Sequence, residues 1–149
     1  MTNSVSTAPL ALIAEDSRIQ AKILENRLTE AGYVVHVAPD GAAAIEMARR
    51  QKPNVIISDI EMPRMTGYEF CRAVKQDPNL RDVPVILLST LSEAVDIIKG
   101  LDAGADNYVT KPYDPNYLLA RVDSLLKSSV NEADSAKESE LAVTLAGQS

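Results

Sequence analysis

Short apolar runs rich in Val, Ile and Leu recur along the chain with amphipathic segments between them, and this alternation narrows the fold more than any other feature. Leu10–Ala14, Tyr33–Ala38, Val55–Ser58, Val85–Ser89 and Asn107–Thr110 read as five strands. After the first, Ile19, Ile23, Leu24, Leu28 and Ala31 follow helical spacing on one face, and Gly32 stands where such a helix would end. Pro39-Asp40-Gly41 turns into an Ala-rich helix that runs to about Arg50, where Lys52-Pro53-Asn54 breaks it. Tyr68–Lys75, Glu93–Ala103 and Asn116–Lys127 complete the helices; Asp77-Pro78 and Gly104 close the first two, and Asp114 caps the last. Strands that alternate with helices through short loops need crossover connections, which puts a parallel sheet between two layers of helix. The expected class is α/β, a doubly wound five-stranded parallel sheet in the order 2-1-3-4-5.

A chain of 149 residues, 46% hydrophobic and 24% charged, fits one domain whose core needs no metal or disulfide staple. Cys71 is the sole cysteine, which rules out an intrachain disulfide and suits a reducing compartment. The formal net charge of -6 argues against nucleic acid as a direct partner, because phosphate binding wants a basic surface. Met1–Pro9 lacks the layout of a secretory signal, and no apolar run approaches the roughly 20 residues that span a bilayer. A cytoplasmic protein without membrane contact is expected. Residues 1–8 read as a tail, 9–130 as the domain, and 131–149, acidic and Ser/Ala-rich at first, as an extension or the start of a linker.

In a parallel sheet covered by helices, ligands bind outside the carboxyl ends of the strands. The first strand ends in Glu15-Asp16, the third in Asp59, the fourth in Ser89-Thr90 and the fifth in Lys111. One rim thus receives three carboxylates, a hydroxyl and an amine. Clustered carboxylates repel one another unless a cation shares the site, and oxygen ligands in this number suit Mg²⁺, or Mn²⁺ in its place. A carboxylate beside such a cation can act as a nucleophile towards phosphorus, with Lys111 and Ser89 spread over the phosphoryl oxygens.

Glu15-Asp16, Asp59 with Met62-Pro63 and Gly67, Ser89-Thr90, and Tyr108-Val109-Thr110-Lys111-Pro112 together resemble the signature of response regulator receiver domains, across roughly Ala8 to Val130. The resemblance implies a flavodoxin-like receiver fold in two-component signalling, a phospho-accepting module rather than an enzyme. Asp59 would accept the phosphoryl group. Asp16, Asp59 and the Glu61 backbone carbonyl would hold the cation directly, and Glu15 would hold it through water. Lys111 would pair with the phosphoryl oxygens, Ser89 and Tyr108 would form the switch pair, and the Lys111–Pro112 bond would be cis. The implied partners are a sensor histidine kinase or phosphotransfer protein, and a downstream protein or domain docked on the face of helix four, strand five and helix five. Two features depart from the usual pattern. The acidic pair is Glu-Asp, and Thr90, where Ala or Gly is usual, is expected to crowd the path of the phosphoryl group or of Tyr108. Glu140–Gln148 is similar to the segment after an N-terminal receiver in some hybrid sensory kinases.

Each residue alone has a plainer reading. Asp16 could cap a helix, Asp59 could be a loop acid, Ser89 could satisfy backbone at a strand end, and Lys111 could be solvated. Their appearance at one rim makes the joint reading the stronger. His36 reads as structural, Cys71 as half-buried packing, and Arg18, Arg64 and Arg72 as ordinary surface residues. Two alternatives stand beside the phospho-acceptor. One is a receiver fold kept as an unphosphorylated docking module. The other is a phosphohydrolase of the haloacid dehalogenase type, which Asp59-Ile60-Glu61 faintly echoes. Finally, Leu118, Leu119, Val122, Leu125, Leu126 and Val130 give the last helix more apolar positions than one stripe needs. Part of that surplus is expected to face a partner protomer, or to continue as helix into residues 131–140.

Overall fold

The computed structural model describes residues 8–131, with side chains described through residue 128. Its elements follow in strict alternation: β1 (Leu10–Ala14), α1 (Arg18–Glu30), β2 (Val34–Ala38), α2 (Gly41–Arg50), β3 (Val55–Asp59), α3 (Gly67–Gln76), β4 (Val85–Ser89), α4 (Ala94–Asp102), β5 (Asn107–Thr110) and α5 (Pro115–Asn131). All pairings are parallel and the strand order is β2-β1-β3-β4-β5, the expected doubly wound arrangement. Most boundaries differ from expectation by a residue or two: β2 begins at Val34 rather than Tyr33, β3 includes Asp59, and α3 starts at Gly67 rather than Tyr68, while α5 runs on to Asn131, four residues past Lys127. The suggested helical continuation over 131–140 and the segment Glu140–Gln148 lie outside the described residues beyond Asn131.

The inner strands β1, β3 and β4 are buried at every position, and their side chains part between two cores by the period of two. Leu12, Ile56, Val85 and Leu87 enter one core with Phe70 and Val74 of α3 and with Ala44 and Ala48 of α2. Ala11, Ile13, Val55, Ile57, Ile86 and Leu88 enter the other, with Leu24 and Leu28 of α1 and Leu118 and Val122 of α5. Burial on both faces explains why these strands read as unbroken apolar runs.

Helix starts are set by capping side chains. Ser17 accepts from Gln20 N–H, Asp40 from Ala43 N–H, Thr66 from Glu69 N–H, and Asp114 from Asn116 N–H with Pro115 as the first helical residue. Gly32, at φ +99°, ends α1 as expected, with Tyr33 N–H donating to Leu28 O at 3.0 Å.

Three packing expectations change. Ile19 and Ile23 do not share the buried face of α1: they are 75% and 57% exposed, while Ala21, Leu24 and Leu28 are buried. At about 100° per residue, Ile19 and Leu24 point roughly 140° apart, so the stripe was two stripes. Of the surplus apolar positions of α5, those up to Leu126 pack against the core, and the Val130 side chain lies outside the described residues. Leu118 and Val122 are buried, and Leu119, Leu125 and Leu126 pack part-buried against the same core. Exposed apolar side chains instead line α4, at Val95, Ile98 and Leu101, with Tyr117 on α5. Cys71 is fully buried rather than half-buried, and burial pushes its thiol up to about 11.

Gly67 anchors α3 against the end of β3. A Cβ there would meet the Asp59 carbonyl oxygen and would lie 2.7 Å from Ile60 Cα, both of them backbone. Backbone cannot swing aside as a flexible side chain can. Gly67→Ala should therefore cost roughly 2–3 kcal/mol, the upper part of the overpacking range. Urea unfolding measures it; a loss below about 0.5 kcal/mol would show that the loop yields freely.

Candidate functional site

The rim residues owe their places to backbone ladders that run one step past the strands. Glu15 N–H donates to Ala38 O at 3.0 Å, Ile60 N–H to Leu88 O at 3.0 Å, and Lys111 N–H to Ser89 O at 2.8 Å. Glu15, Asp59 and Lys111 are thus held at the carboxyl edge of the sheet as rigidly as the strands themselves. Glu15, Asp16 and Asp59 each bring a carboxylate oxygen within 4.8 Å of the others, with Glu15 and Asp59 buried and Asp16 exposed.

Lys111 threads into this group. Its Nζ lies 3.2 Å from Asp59 Oδ1 and 3.5 Å from Glu15 Oε1, and donates to Gln20 Oε1 at 2.9 Å. An ammonium has three donors, and here it meets three oxygens. One cation does not balance the carboxylates, however. Burial, opposed by Lys111 and reinforced by Asp16, holds the Asp59 carboxyl above its ordinary value. Burial also raises Glu15, with the Asp59 charge adding to it and the Ser17 N–H working against it. Burial alone would lower Lys111, but the charges of Asp59 and Glu15 outweigh it and hold the ammonium above its usual range. The rim lacks positive charge.

The donor chemistry fits a hard divalent cation. Three carboxylates in reach of one another are the ligand type that Mg²⁺ and Mn²⁺ take. Among the described residues no hydrogen bond reaches the Glu61 carbonyl, which leaves it free to act as a ligand. The Glu61 side chain is exposed and lines a cleft of about 610 Å³ with Tyr68, Arg72, Leu91 and Lys99.

Ser89 is fully buried, and its Oγ accepts from Leu91 N–H at 2.9 Å. The Leu91 carbonyl in turn accepts from the Tyr108 hydroxyl at 2.7 Å. Ser89 and Tyr108 are therefore joined through the backbone of one residue. The half-buried Tyr108 ring packs on α4 where Gly100 has no side chain: a Cβ there would stand 2.8 Å from Tyr108 Cδ2. Thr90 is exposed and lines a groove of about 500 Å³ with Gln20, Ile23, Lys111, Pro112, Tyr113 and Pro115. The Lys111–Pro112 bond is cis, as the resemblance implies.

Sequence reasoning missed three contributors. Gln20 lies on the helix after the acidic pair, and nothing in its type announces a contact with Lys111. Arg64, read as an ordinary surface residue, adopts φ +69° and pairs with Asp40 at 2.7 Å. Tyr68 donates its hydroxyl to Asp96 O at 3.1 Å, and Lys99 Nζ lies 4.9 Å from its ring centroid, so it ties α3 to α4. A left-handed arginine carries no sequence signal, because composition favours Gly or Asn there.

The family model described as the response regulator receiver domain matches residues 11–123. Response regulator PleD of Caulobacter vibrioides is 41% identical over 116 residues, covering 78% of this chain and 26% of the relative. Probable transcriptional regulator ycf27 of Guillardia theta is 39% identical over 132 residues, covering 89% of this chain and 51% of the relative. The chain thus spans about half the length, or less, of these curated relatives. Among solved structures, the signal receiver domain of a signal transduction histidine kinase from Syntrophus aciditrophicus superposes with a TM-score of 0.77 at 41% identity, over 81% of this chain and 92% of that one. The receiver domain of a sensor histidine kinase from Pseudomonas aeruginosa, whose structure holds a magnesium ion in its active site cleft, superposes with a TM-score of 0.76 at 29% identity, over 82% of this chain and 100% of that one.

The raised carboxyl of Asp59 has a consequence for stability. An acid whose folded pKa lies above its unfolded value favours the folded state while protonated. That advantage is lost as pH rises through the interval between the two values. Above that interval and without metal, an ionised Asp59 therefore costs the fold stability. Asp59→Asn should raise the melting temperature of metal-free protein at pH 7, and the gain should shrink towards pH 4. Calorimetric melts across that range test it, and a lower melting temperature for the variant at pH 7 would contradict it.

Proposed function

The chain belongs to the response regulator receiver domain family of two-component signalling, and from that premise we propose that Asp59 is its phosphoryl acceptor. The observation that carries this reading is Lys111 Nζ lying 3.2 Å from Asp59 Oδ1 within the acidic cluster at the sheet edge. Asp16 and Asp59, with the Glu61 backbone carbonyl, would hold Mg²⁺ or Mn²⁺ directly, and Glu15 would hold it through water. Bound there, the cation supplies the positive charge that the rim lacks and offsets charge on the phosphoryl oxygens.

The residues divide the work. An Asp59 carboxylate oxygen attacks phosphorus and forms the new O–P bond. The P–N bond to a donor histidine breaks, and its electron pair leaves with the imidazole, which takes a proton from solvent. Lys111 gives up part of its hold on Asp59 and Glu15 to pair with a phosphoryl oxygen. Ser89 rotates its hydroxyl towards a second one. Because Ser89 Oγ accepts from Leu91 N–H and Leu91 O accepts from Tyr108, movement at Ser89 shifts the Tyr108 anchor point and with it the face of α4, β5 and α5.

A histidine kinase or phosphotransfer protein is the donor on this reading. The exposed Ile19 and Ile23 and the groove beside Lys111 offer it an apolar footing next to the reacting atoms. The exposed Val95, Ile98, Leu101 and Tyr117 give the output face something to present, to a downstream protein, a downstream domain or a second copy. With a net charge of -6, the reading assigns output to protein contact rather than nucleic acid. No described helix is long and apolar enough to cross a membrane, and we place the domain in the cytoplasm with its donor.

Incubation with a small phosphodonor and Mg²⁺ should add one phosphoryl group, stable to acid and labile to base. Labelling by intact mass that persists in Asp59→Asn would sink the assignment. Asp16→Ala should weaken Mg²⁺ binding more than Glu15→Ala, since one ligates directly and the other through water; equal losses in a titration would reverse the two roles. On beryllofluoride addition, NMR shifts should spread over Ser89–Leu101 and Asn107–Leu119. Shifts confined to the pocket would favour the docking-module alternative.

A further inference from the structure

The segment between β3 and α3 leaves the sheet directly after Asp59 and carries the Glu61 carbonyl. Its base is closed by Gly67 N–H, which donates to Ile60 O at 2.8 Å. Its far side is a three-residue γ-turn, closed by Met65 N–H donating to Pro63 O at 2.7 Å, with Arg64 at the centre and φ +69°. That turn is the rare, strained hand of its class, and a side chain at such a φ is uncommon. A glycine would adopt it without strain; the arginine adds a side-chain contact that a glycine could not make.

The contact is specific. Arg64 Nη2 donates to Asp40 Oδ2 at 2.7 Å. Asp40 is a buried carboxylate whose other oxygen accepts from Ala43 N–H at 2.8 Å and caps α2. Those two contacts, the Ala43 N–H first and the guanidinium second, hold its carboxyl below the usual range. The next residue, Gly41, has no side chain where Met65 packs: a Cβ would stand 2.9 Å from Met65 Cβ. The segment is thus pinned at its base by Gly67 and at its apex to the start of α2.

We propose that Asp40 and Arg64 form a positioning clasp, which fixes the segment after Asp59 so that the Glu61 carbonyl is held ready for the cation. The clasp rests on the reading of the acidic rim as a divalent-cation site. Neither residue touches the cation or the reacting phosphorus; the effect passes along the backbone from Arg64 to Glu61.

The test is Mg²⁺ binding by isothermal titration calorimetry on the full chain and on Asp40→Asn, Arg64→Gln, the double variant and Arg64→Lys, each with a parallel thermal melt. Asparagine keeps the helix cap, so Asp40→Asn removes the charge pair and leaves α2 intact. Each of the first two substitutions should weaken Mg²⁺ binding about 3- to 10-fold, at or just below the low end of the effect of outer-shell partners. The double variant should be no weaker than the worse single, because the pair acts as a unit. Arg64→Lys should recover most of the loss, since one donor makes the contact. Wild-type affinity in both singles, or losses that add in the double, would overturn the clasp. Loss of Mg²⁺ affinity that merely tracks a fall in melting temperature would overturn it too. A wild-type chain that binds no Mg²⁺ would instead bring down the cation reading beneath it, and the clasp with it.

Discussion

Too much negative charge on one sheet edge is the constraint around which the rest of the molecule is organised. Glu15, Asp16 and Asp59 converge within 4.8 Å, and among the described residues Lys111 is the one ammonium that reaches into the group. The backbone ladders that hold Glu15, Asp59 and Lys111 keep the charges from separating, since moving any of them would break pairing in the central strands. Burial sharpens the conflict by removing the water that would otherwise screen it. The rim therefore carries more negative charge than Lys111 balances, and a divalent cation or a new hydrogen-bond acceptor for Lys111 would each change the balance.

That imbalance would matter little if it stayed local, but the loop after β4 connects it to the surface. Ser89 is buried beside the rim, and Leu91 receives Tyr108 on its carbonyl and offers its N–H to Ser89. Helix α4 is lightly held. Gly100 is its one buried residue, while Val95, Ile98 and Leu101 face outward. Tyr108 holds α4 from the side of β5, and Tyr68 holds it from α3 through Asp96 O and the Lys99 ammonium over its ring. A helix tied by one tyrosine hydroxyl, one tyrosine ring and little apolar burial has the features of a segment that opens at low cost.

Much of this was legible beforehand, and the reason is locality. The inner strands announce themselves because burial on both faces requires unbroken Val, Ile and Leu, and the rim residues follow because each stands at a strand end. Helix faces were less legible. Ile19 and Ile23 joined Leu24 and Leu28 in an apparent single stripe, and α5 appeared to have apolar residues to spare. Which side of a helix meets the sheet depends on how the chain enters and leaves it. How much of α5 is covered depends on its packing across β3, β4 and β5 rather than on its own pattern. The contacts of Gln20, Arg64 and Tyr68 were invisible for a related cause: each joins elements that lie far apart in the chain, through side chains of ordinary surface type.

By itself, then, the sequence determined the alternation of strands and helices, the parallel sheet, and the set of polar residues delivered to one edge. These follow from periodicity and from strand ends, which are properties of short stretches of chain. Only the tertiary structure decided the order of charges around Lys111, the one-residue bridge from Ser89 to Tyr108, the exposed face of α4, and the left-handed Arg64 held by Asp40. Those are distances and angles between separate segments, and they exist only once the two cores have closed on the sheet and fixed where each segment stands.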